Sequence, residues 1–300
     1  MLERSQLLKT RLRRLTRTFA GLDHGDIVAL HRARVASRRL RGLLPLLELD
    51  RGRARRLGRR LRKITSRLGV VRELDVLLLL IDELHVSRRP HRPALGRVAV
   101  SVGKARTQAR KRLVRRLPID ELQKVARRLE DVVDELRETE KDGPSAARAW
   151  RWAVDASLVA RASRVRNAMI TAGAVYLPER LHGVRLAVKK LRYAMELAAE
   201  IAGTNDPDLL VLRRTQETLG RMHDRQVLID YVRQEQASLT PPDLTMWRNL
   251  DALVVALEDD CRRLHARYMR LRSDLEAIAD KLSAQGRRQA LTSASTRRAG

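Results

Sequence analysis

Residues 31–41 read HRARVASRRLR, and residues 182–192 read HGVRLAVKKLR, a constant 151 positions later. His31, Arg34, Ala36, Leu40 and Arg41 return as His182, Arg185, Ala187, Leu191 and Arg192, while Arg38 and Arg39 become Lys189 and Lys190. The same offset carries Leu68-Gly69 onto Leu219-Gly220 and Val76-Leu77 onto Val227-Leu228. Matched blocks in one ungapped register imply an internal duplication. The chain must then build one unit twice, and what is doubled is a histidine followed by a row of cations.

The apolar periodicity is helical almost throughout. The first half predicts helices over about 2–20, 26–48 and 51–85, then a long helical region over 94–140 interrupted near Pro118. Asp26 is the expected N-cap of the second helix, and SRRPHRP (87–93) a loop stopped by two prolines. The second half predicts helices over about 145–170, 178–201, 206–236 and 242–279, with Pro178 and Pro242 in first turns. KDGPS (141–145) marks the boundary. The expected fold is all-α, two four-helix bundles over residues 1–142 and 143–282. Residues 283–300 lack periodicity and read as a disordered basic tail. With 44% apolar but only 3% aromatic residues, the cores must be built from Leu, Val and Ala.

Charge narrows the function. The 63 basic residues exceed the 36 acidic ones to give a net +27, which repels itself and points to a polyanionic partner. Nearly all the cations are Arg, whose planar fork suits phosphate oxygens, although a GC-rich genome favours Arg codons as well. Acids concentrate in 120–142, which reads as a solvated outer face. A single cysteine, Cys261, excludes an internal disulfide and fits a reducing compartment. The longest apolar run, Val76 to Ile81, is far shorter than a membrane helix, which needs roughly 20 residues. The N-terminus alternates Leu with Arg, unlike a signal peptide. A soluble, cytoplasmic protein with no membrane contact is expected.

On a helical wheel His31, Arg34, Arg38 and Arg41 fall within an arc of roughly 80°. Ala33, Ala36, Leu40 and Leu43 lie opposite. His182, Arg185, Lys189 and Arg192 form the equivalent arc. Like charges three and four residues apart destabilise a helix by a few tenths of a kcal/mol per pair, and no acid within either motif relieves them. A solvated basic face is the plain reading of one such helix; two in identical register favour a binding surface for a linear polymer of phosphates. The histidines are either packing residues or phosphate donors, since a polyanion favours imidazolium. Arg62 and Lys63 match Arg213 and Arg214 on the third helices, and Lys111, Arg112 and Arg116 match Arg262, Arg263 and Arg267 on the fourth. If the halves face each other about a pseudo-twofold axis, these rows line one central groove or channel.

At these residues the chain resembles the CHAD family, the conserved-histidine α-helical domain. The resemblance rests on the two motifs and on LGVVRELDVL (68–77) and LGRMHDRQVL (219–228), and spans about residues 1–280. It implies two four-helix bundles related by pseudo-twofold symmetry, and binding of inorganic polyphosphate along a basic central surface, often at polyphosphate granules. The residues it carries over are His31, Arg34, Arg38, Arg39 and Arg41, with His182, Arg185, Lys189, Lys190 and Arg192. The family usually has Arg-Asp after the first Leu-Gly, whereas this chain has Arg72-Glu73, and the second copy has His223-Asp224. Glu73 and Asp224 are expected to orient neighbouring cations or cap a turn. ETEK (138–141) lacks the ExExK spacing of the triphosphate-tunnel module often fused to the family.

Catalysis finds little support. There is no Walker loop, no HExxH and no paired cysteine, and the remaining histidines lack metal-ligand spacing. Acids near the cation rows are too few for the Mg²⁺ that phosphoryl transfer needs. No catalytic residue, metal or cofactor is expected. Nucleic acid is the rival ligand, because phosphate contacts alone give sequence-independent affinity and weak binding at low salt. Single-strand binders use aromatic platforms, and here only Tyr193 adjoins a cation motif. The oligomeric state is not encoded in any feature of the sequence.

Overall fold

The computed structural model describes residues 3–24, 26–116, 119–140 and 144–298. Its helices are α1 (Arg4–Thr16), α2 (Phe19–Asp23), α3 (Ile27–Leu43), α4 (Arg51–Ser87), α5 (Arg92–Arg116), α6 (Ile119–Glu140), α7 (Pro144–Ala172), α8 (Pro178–Ala202), α9 (Asp208–Ala237) and α10 (Leu244–Arg298). Among the described residues there is no strand, and no helix is long and apolar enough to cross a membrane.

Local chemistry sets where the motif helices begin and end. The Asp26 carboxylate accepts from the backbone N–H of Val28 at 3.0 Å and of Ala29 at 3.2 Å. It thereby satisfies two donors that the first turn of α3 leaves without helical partners. Asp26→Ala is expected to cost about 1 kcal/mol, seen as a lower urea midpoint at unchanged slope. Pro178 starts α8, where its missing N–H costs nothing. Gly203 ends it at φ +68°, a left-handed conformation that glycine takes without penalty. Pro242 lies outside its helix: Asp243 caps α10 by accepting from Met246 N–H at 2.9 Å, and the helix starts at Leu244. The 87–93 connection is tighter than a loop, a single 3-10 turn at Arg89–His91 between α4 and α5.

Two apolar cores form. The first joins Leu7 and Leu15 of α1, Leu40 and Leu43 of α3, Leu61 of α4, and Leu129 of α6. The second joins Val98 of α5, Val165 of α7, Val188 and Leu191 of α8, Leu228 of α9, and Leu257 and Leu275 of α10. The apolar sides of both motif helices are therefore inward, as the wheel predicts. Neighbour order repeats between the halves. In the first, α1 packs on α3, α3 on α4, α4 on α5, and α6 returns to α1; in the second, α7 packs on α8, α8 on α9, α9 on α10, and α10 returns to α7.

The bundles do not divide at residue 142. Val71 of α4 lies in the first core and Leu74 in the second, α5 opens inside the second, and Trp150 and Leu197 reach back into the first. The cause is the length of α4, which has 37 residues. At the helical rise these span about 55 Å, more than one bundle needs. Among the described residues the first half also holds the short α2 ahead of α3, beyond the four helical regions expected. The expected break at Pro118 and most of the KDGPS boundary, 141–143, lie outside the described residues.

Residues 283–298 are helical rather than disordered, since α10 runs on to Arg298. Leu282 is buried, and Gly286 lies so close to α7 that a Cβ there would stand 2.5 Å from Val159 Cγ2. A helix anchored that way continues cheaply through a proline-free stretch rich in Ala, Arg and Gln.

Candidate functional site

Helices α3 and α8 touch, and their polar sides open on one cavity of about 520 Å³. Arg38, Arg39 and Arg41 line it from α3, and Lys189, Lys190 and Tyr193 from α8. Arg213 of α9, Arg11 of α1, and Arg161 and Arg164 of α7 complete its basic wall. Cations from both repeats thus share a single trough. Its two acids are already engaged: Glu196 pairs with Arg192, and Glu200 accepts from Arg11 at 3.0 Å.

Arg34 donates to the Gly69 carbonyl at 2.9 Å and stands 3.9 Å from Glu73. The approach is close: a Cβ at position 69 would stand 3.1 Å from Arg34 Nη1, and the guanidinium would have to give by a few tenths of an ångström. In the other repeat Arg185 lies in the field of Asp224 and also of Glu73. Both acids sit inside helices, so they orient cations and cap no turn. Further along, the guanidinium of Arg38 stands 4.8 Å and that of Arg192 4.5 Å from the centre of the Tyr193 ring, where the ring face attracts positive charge. Arg192 Nε donates to Gln216 Oε1 at 2.8 Å. Arg38 Nε is buried and has no hydrogen-bond partner. A buried donor left unpaired is unusual in a folded protein, and here it belongs to a group lining the cavity.

The proximity is electrostatically costly. Burial, followed by Arg38, Arg185, Arg34 and Arg192, pulls the Lys189 ammonium down to a pKa of about 8, as expected for a cation desolvated beside like charges. Burial lowers Arg38 despite the nearby Tyr193, with Arg34, Arg192 and Arg39 adding to the effect. Arg41 is lowered by burial and by Arg62. Burial also lowers His31, together with Arg72, Arg38 and Arg34, and lowers His182, together with Arg185 and Lys189. His223 falls to about 4 from burial, Arg185, His182 and Lys189. Every one of these shifts disfavours positive charge in a place crowded with it. The charge of a bound anion would oppose them.

The structure sorts the residues read from sequence. Arg38, Arg39, Arg41, Lys189, Lys190 and Arg213 line the cavity. Arg34, Arg185 and Arg192 brace it through their mutual fields and partners. Acids outside the motifs, Glu73 and Glu196, relieve part of the repulsion that the motifs alone leave uncompensated. Arg62 reaches Arg41's field without lining the cavity. Lys63 turns away, its Nζ 4.0 Å from Glu121 of α6, and Arg214 is exposed on α9 outside the lining. On the fourth helices Arg262 and Arg263 are held by Asp259 and Asp260 of their own turn, and the Arg116 side chain lies outside the described residues. His31 is exposed, whereas the His182 ring packs 4.8 Å from that of His223.

Arg11, Arg161, Arg164 and His223 join the site without having been marked by the motif. The first two had a signal. Arg11 Nη1 donates to the Arg39 carbonyl and Arg161 Nη1 to the Lys190 carbonyl, each at 3.2 Å. The acceptors keep the 151-residue offset but the donors are one residue out of step, so an ungapped comparison passes over them. His223 matches Arg72 at the same offset, and each adjoins its motif histidine. Among the described residues no three His, Cys, Asp or Glu gather as metal ligands.

Fold and site define an all-α protein whose two repeats gather cations on one cavity. The chain belongs to the CHAD family, whose CHAD domain profile matches residues 6–233. Its fold is similar to the crystal structure of the CHAD domain from the plant Ricinus communis, with a TM-score of 0.58 and 24% identity over 93% of this chain and 90% of that one. It is also similar to PptA from Streptomyces chartreusis, with a TM-score of 0.65 and 18% identity over 90% of this chain and 98% of that one. No curated protein matches the chain.

Proposed function

We infer that the trough binds inorganic polyphosphate and catalyses no reaction on it. The observation that carries this reading is the convergence of both cation rows on one cavity, with the Nε of Arg38 buried and unpartnered. Protein carboxylates do not supply the missing charge, because Glu196 and Glu200 are taken by Arg192 and Arg11. The same engagement leaves no acid in the lining free to hold a catalytic Mg²⁺. A flexible phosphate polymer offers oxygens at many positions, so several guanidiniums can each find a charge-assisted bond.

Nucleic acid offers phosphates too, but its bases need somewhere to go. Tyr193 is the aromatic residue in the trough lining, and the guanidiniums of Arg38 and Arg192 already stand over its ring. It therefore makes a poor stacking platform. Weak nucleic-acid binding at low salt is expected from charge alone. In this reading the protein works in the cytoplasm, at polyphosphate granules.

Competition tests it. At physiological salt, long-chain polyphosphate is expected to displace a labelled polyphosphate from the full chain far better than the same phosphate concentration of RNA or duplex DNA. Equal competition would transfer the reading to sequence-independent nucleic-acid binding.

A further inference from the structure

The cations on the first half of α4 divide into two sets. Arg53, Lys63 and Arg67 turn toward α6, where Glu135 and Glu121 pair with them. Arg55, Arg59 and Arg62 form the other set, an exposed row within an arc of about 60° that follows α4 for about 10 Å. Among the described residues these three guanidiniums have no ion pair and no hydrogen bond. The row begins beside the trough, because Arg62 lies in the field of Arg41, and Arg41 lines the cavity. None of the three lines the cavity itself. Spaced three and four residues apart, they repel one another and weaken the helix that carries them.

The way from the trough to the row is open. Gly42 of α3 lines the cavity, and Gly58 shares the side of α4 on which Gly69 accepts from Arg34 of α3. A Cβ at either Gly42 or Gly58 meets nothing within 4 Å. The second repeat closes the same route. At the 151-residue offset Tyr193 stands for Gly42, Leu209 for Gly58, Asp206 for Arg55 and Leu210 for Arg59. Its one matching cation, Arg213, stands 3.9 Å from Glu196, where the first repeat has Pro45. Lys281 of α10 reaches this end of α9, but Asp208 holds its Nζ at 2.8 Å.

We propose that Arg55, Arg59 and Arg62 form a second phosphate subsite, over which a polyphosphate too long for the trough continues along α4. The proposal rests on the trough being a polyphosphate site, and it adds cations that the trough does not use. A short oligomer ends at Arg41. A longer one passes Gly42 and gains charge-assisted bonds from the row. Chain length, which the trough alone reads poorly, is then registered on α4.

The row is exposed, so its removal leaves the cores intact. Arg55→Gln/Arg59→Gln is compared with Arg127→Gln/Arg128→Gln, which takes two exposed cations from α6 and so lowers net charge equally. Binding of tripolyphosphate and of long-chain polyphosphate to the full-length proteins is measured by calorimetry over a salt series, with circular dichroism confirming unchanged helicity. Arg55→Gln/Arg59→Gln is expected to weaken the long polymer about tenfold at low salt and to flatten its salt dependence by between one and two units of slope. Tripolyphosphate should change less than about twofold, and the α6 pair should leave both ligands close to wild type. An unchanged affinity for the long polymer, or equal weakening of both ligands, would overturn the subsite and leave the trough standing. An equal effect from the α6 pair would do the same, since the row would then act only through net charge. Failure of the wild type to bind either ligand would instead overturn the reading beneath it.

Discussion

Replacing Arg38 by Gln together with Lys189 by Met is expected to weaken polyphosphate binding by about 100- to 10,000-fold and to raise the melting temperature. Each charge-assisted hydrogen bond to phosphate contributes about 1.5–3 kcal/mol, and about 1.4 kcal/mol is a factor of ten. Two such groups removed together give the stated range. The salt dependence should also flatten by between one and two units of slope, one fewer counterion-releasing contact for each lost cation. Stability moves the other way because folding forces these charges together. Lys189 is held well below its ordinary pKa by burial and by Arg38, Arg185, Arg34 and Arg192. A lysine depressed in the folded state is protonated at neutral pH only at a cost to stability, a cost that disappears as pH rises from the folded pKa to the unfolded one. Methionine removes it at every pH and keeps the apolar stem. Relief of Arg38 adds to the effect, and a rise of about 2–4 °C is expected for each kcal/mol gained. Calorimetric melting beside a binding titration decides the matter. A double variant that melts lower while binding weakens would make the row a structural element, and the ligand reading would lose its support.

Much of this was legible in the sequence because the duplication repeats its helix faces. Leu40 and Leu191 are buried, and Arg38 and Lys189 open on the cavity, as their places on the wheel require. Asp26 and Pro178 announce their helix starts by chemistry that acts within one turn. What the sequence hid was docking. Nothing local says that α4 outgrows the first bundle and enters the second core, because an unbroken apolar stripe looks the same whichever partner covers it. Lys63 illustrates the same gap in the site. It matches a cation row by offset, yet Glu121 of α6 draws it away, and that helix is absent from any reading of α4 alone. Tyr193 lay beside the motif, but its service to Arg38 of the other repeat became visible only once α3 and α8 were placed together. The tail hides its helix for a related reason: periodicity is weak after residue 282, but the anchor that carries the helix onward is Gly286 against Val159 of a distant helix.

The depressed pKa of Lys189 also gives the site a pH dependence with a fixed sign. In the free protein its ammonium loses its proton near pH 8. A bound polyanion favours the charged form and raises that value toward or beyond the ordinary one of about 10.4. Below pH 8 the lysine is protonated in both states, so affinity there is at its full value. Between the free and the bound pKa, binding must take up a proton, and affinity falls about tenfold for each pH unit. Polyphosphate binding is therefore expected to weaken about 30- to 100-fold from about pH 8 to about pH 10. Lys189→Arg should hold its affinity over that range, because a guanidinium keeps its charge, and Lys189→Met should be weaker but equally flat. Titration of the ligand itself is common to all three proteins, so the difference between their profiles isolates the one amine. On the acid side, burial and neighbouring cations hold His31, His182 and His223 below their ordinary values. Any tightening they contribute therefore sets in at their bound-state values, which the polyanion raises, and continues below about pH 6.5 to the depressed free values; the part due to His31 and His182 should vanish in His31→Ala/His182→Ala. An alkaline limb that persists unchanged in Lys189→Arg would remove Lys189 from the binding surface, since a group that no longer titrates cannot account for it.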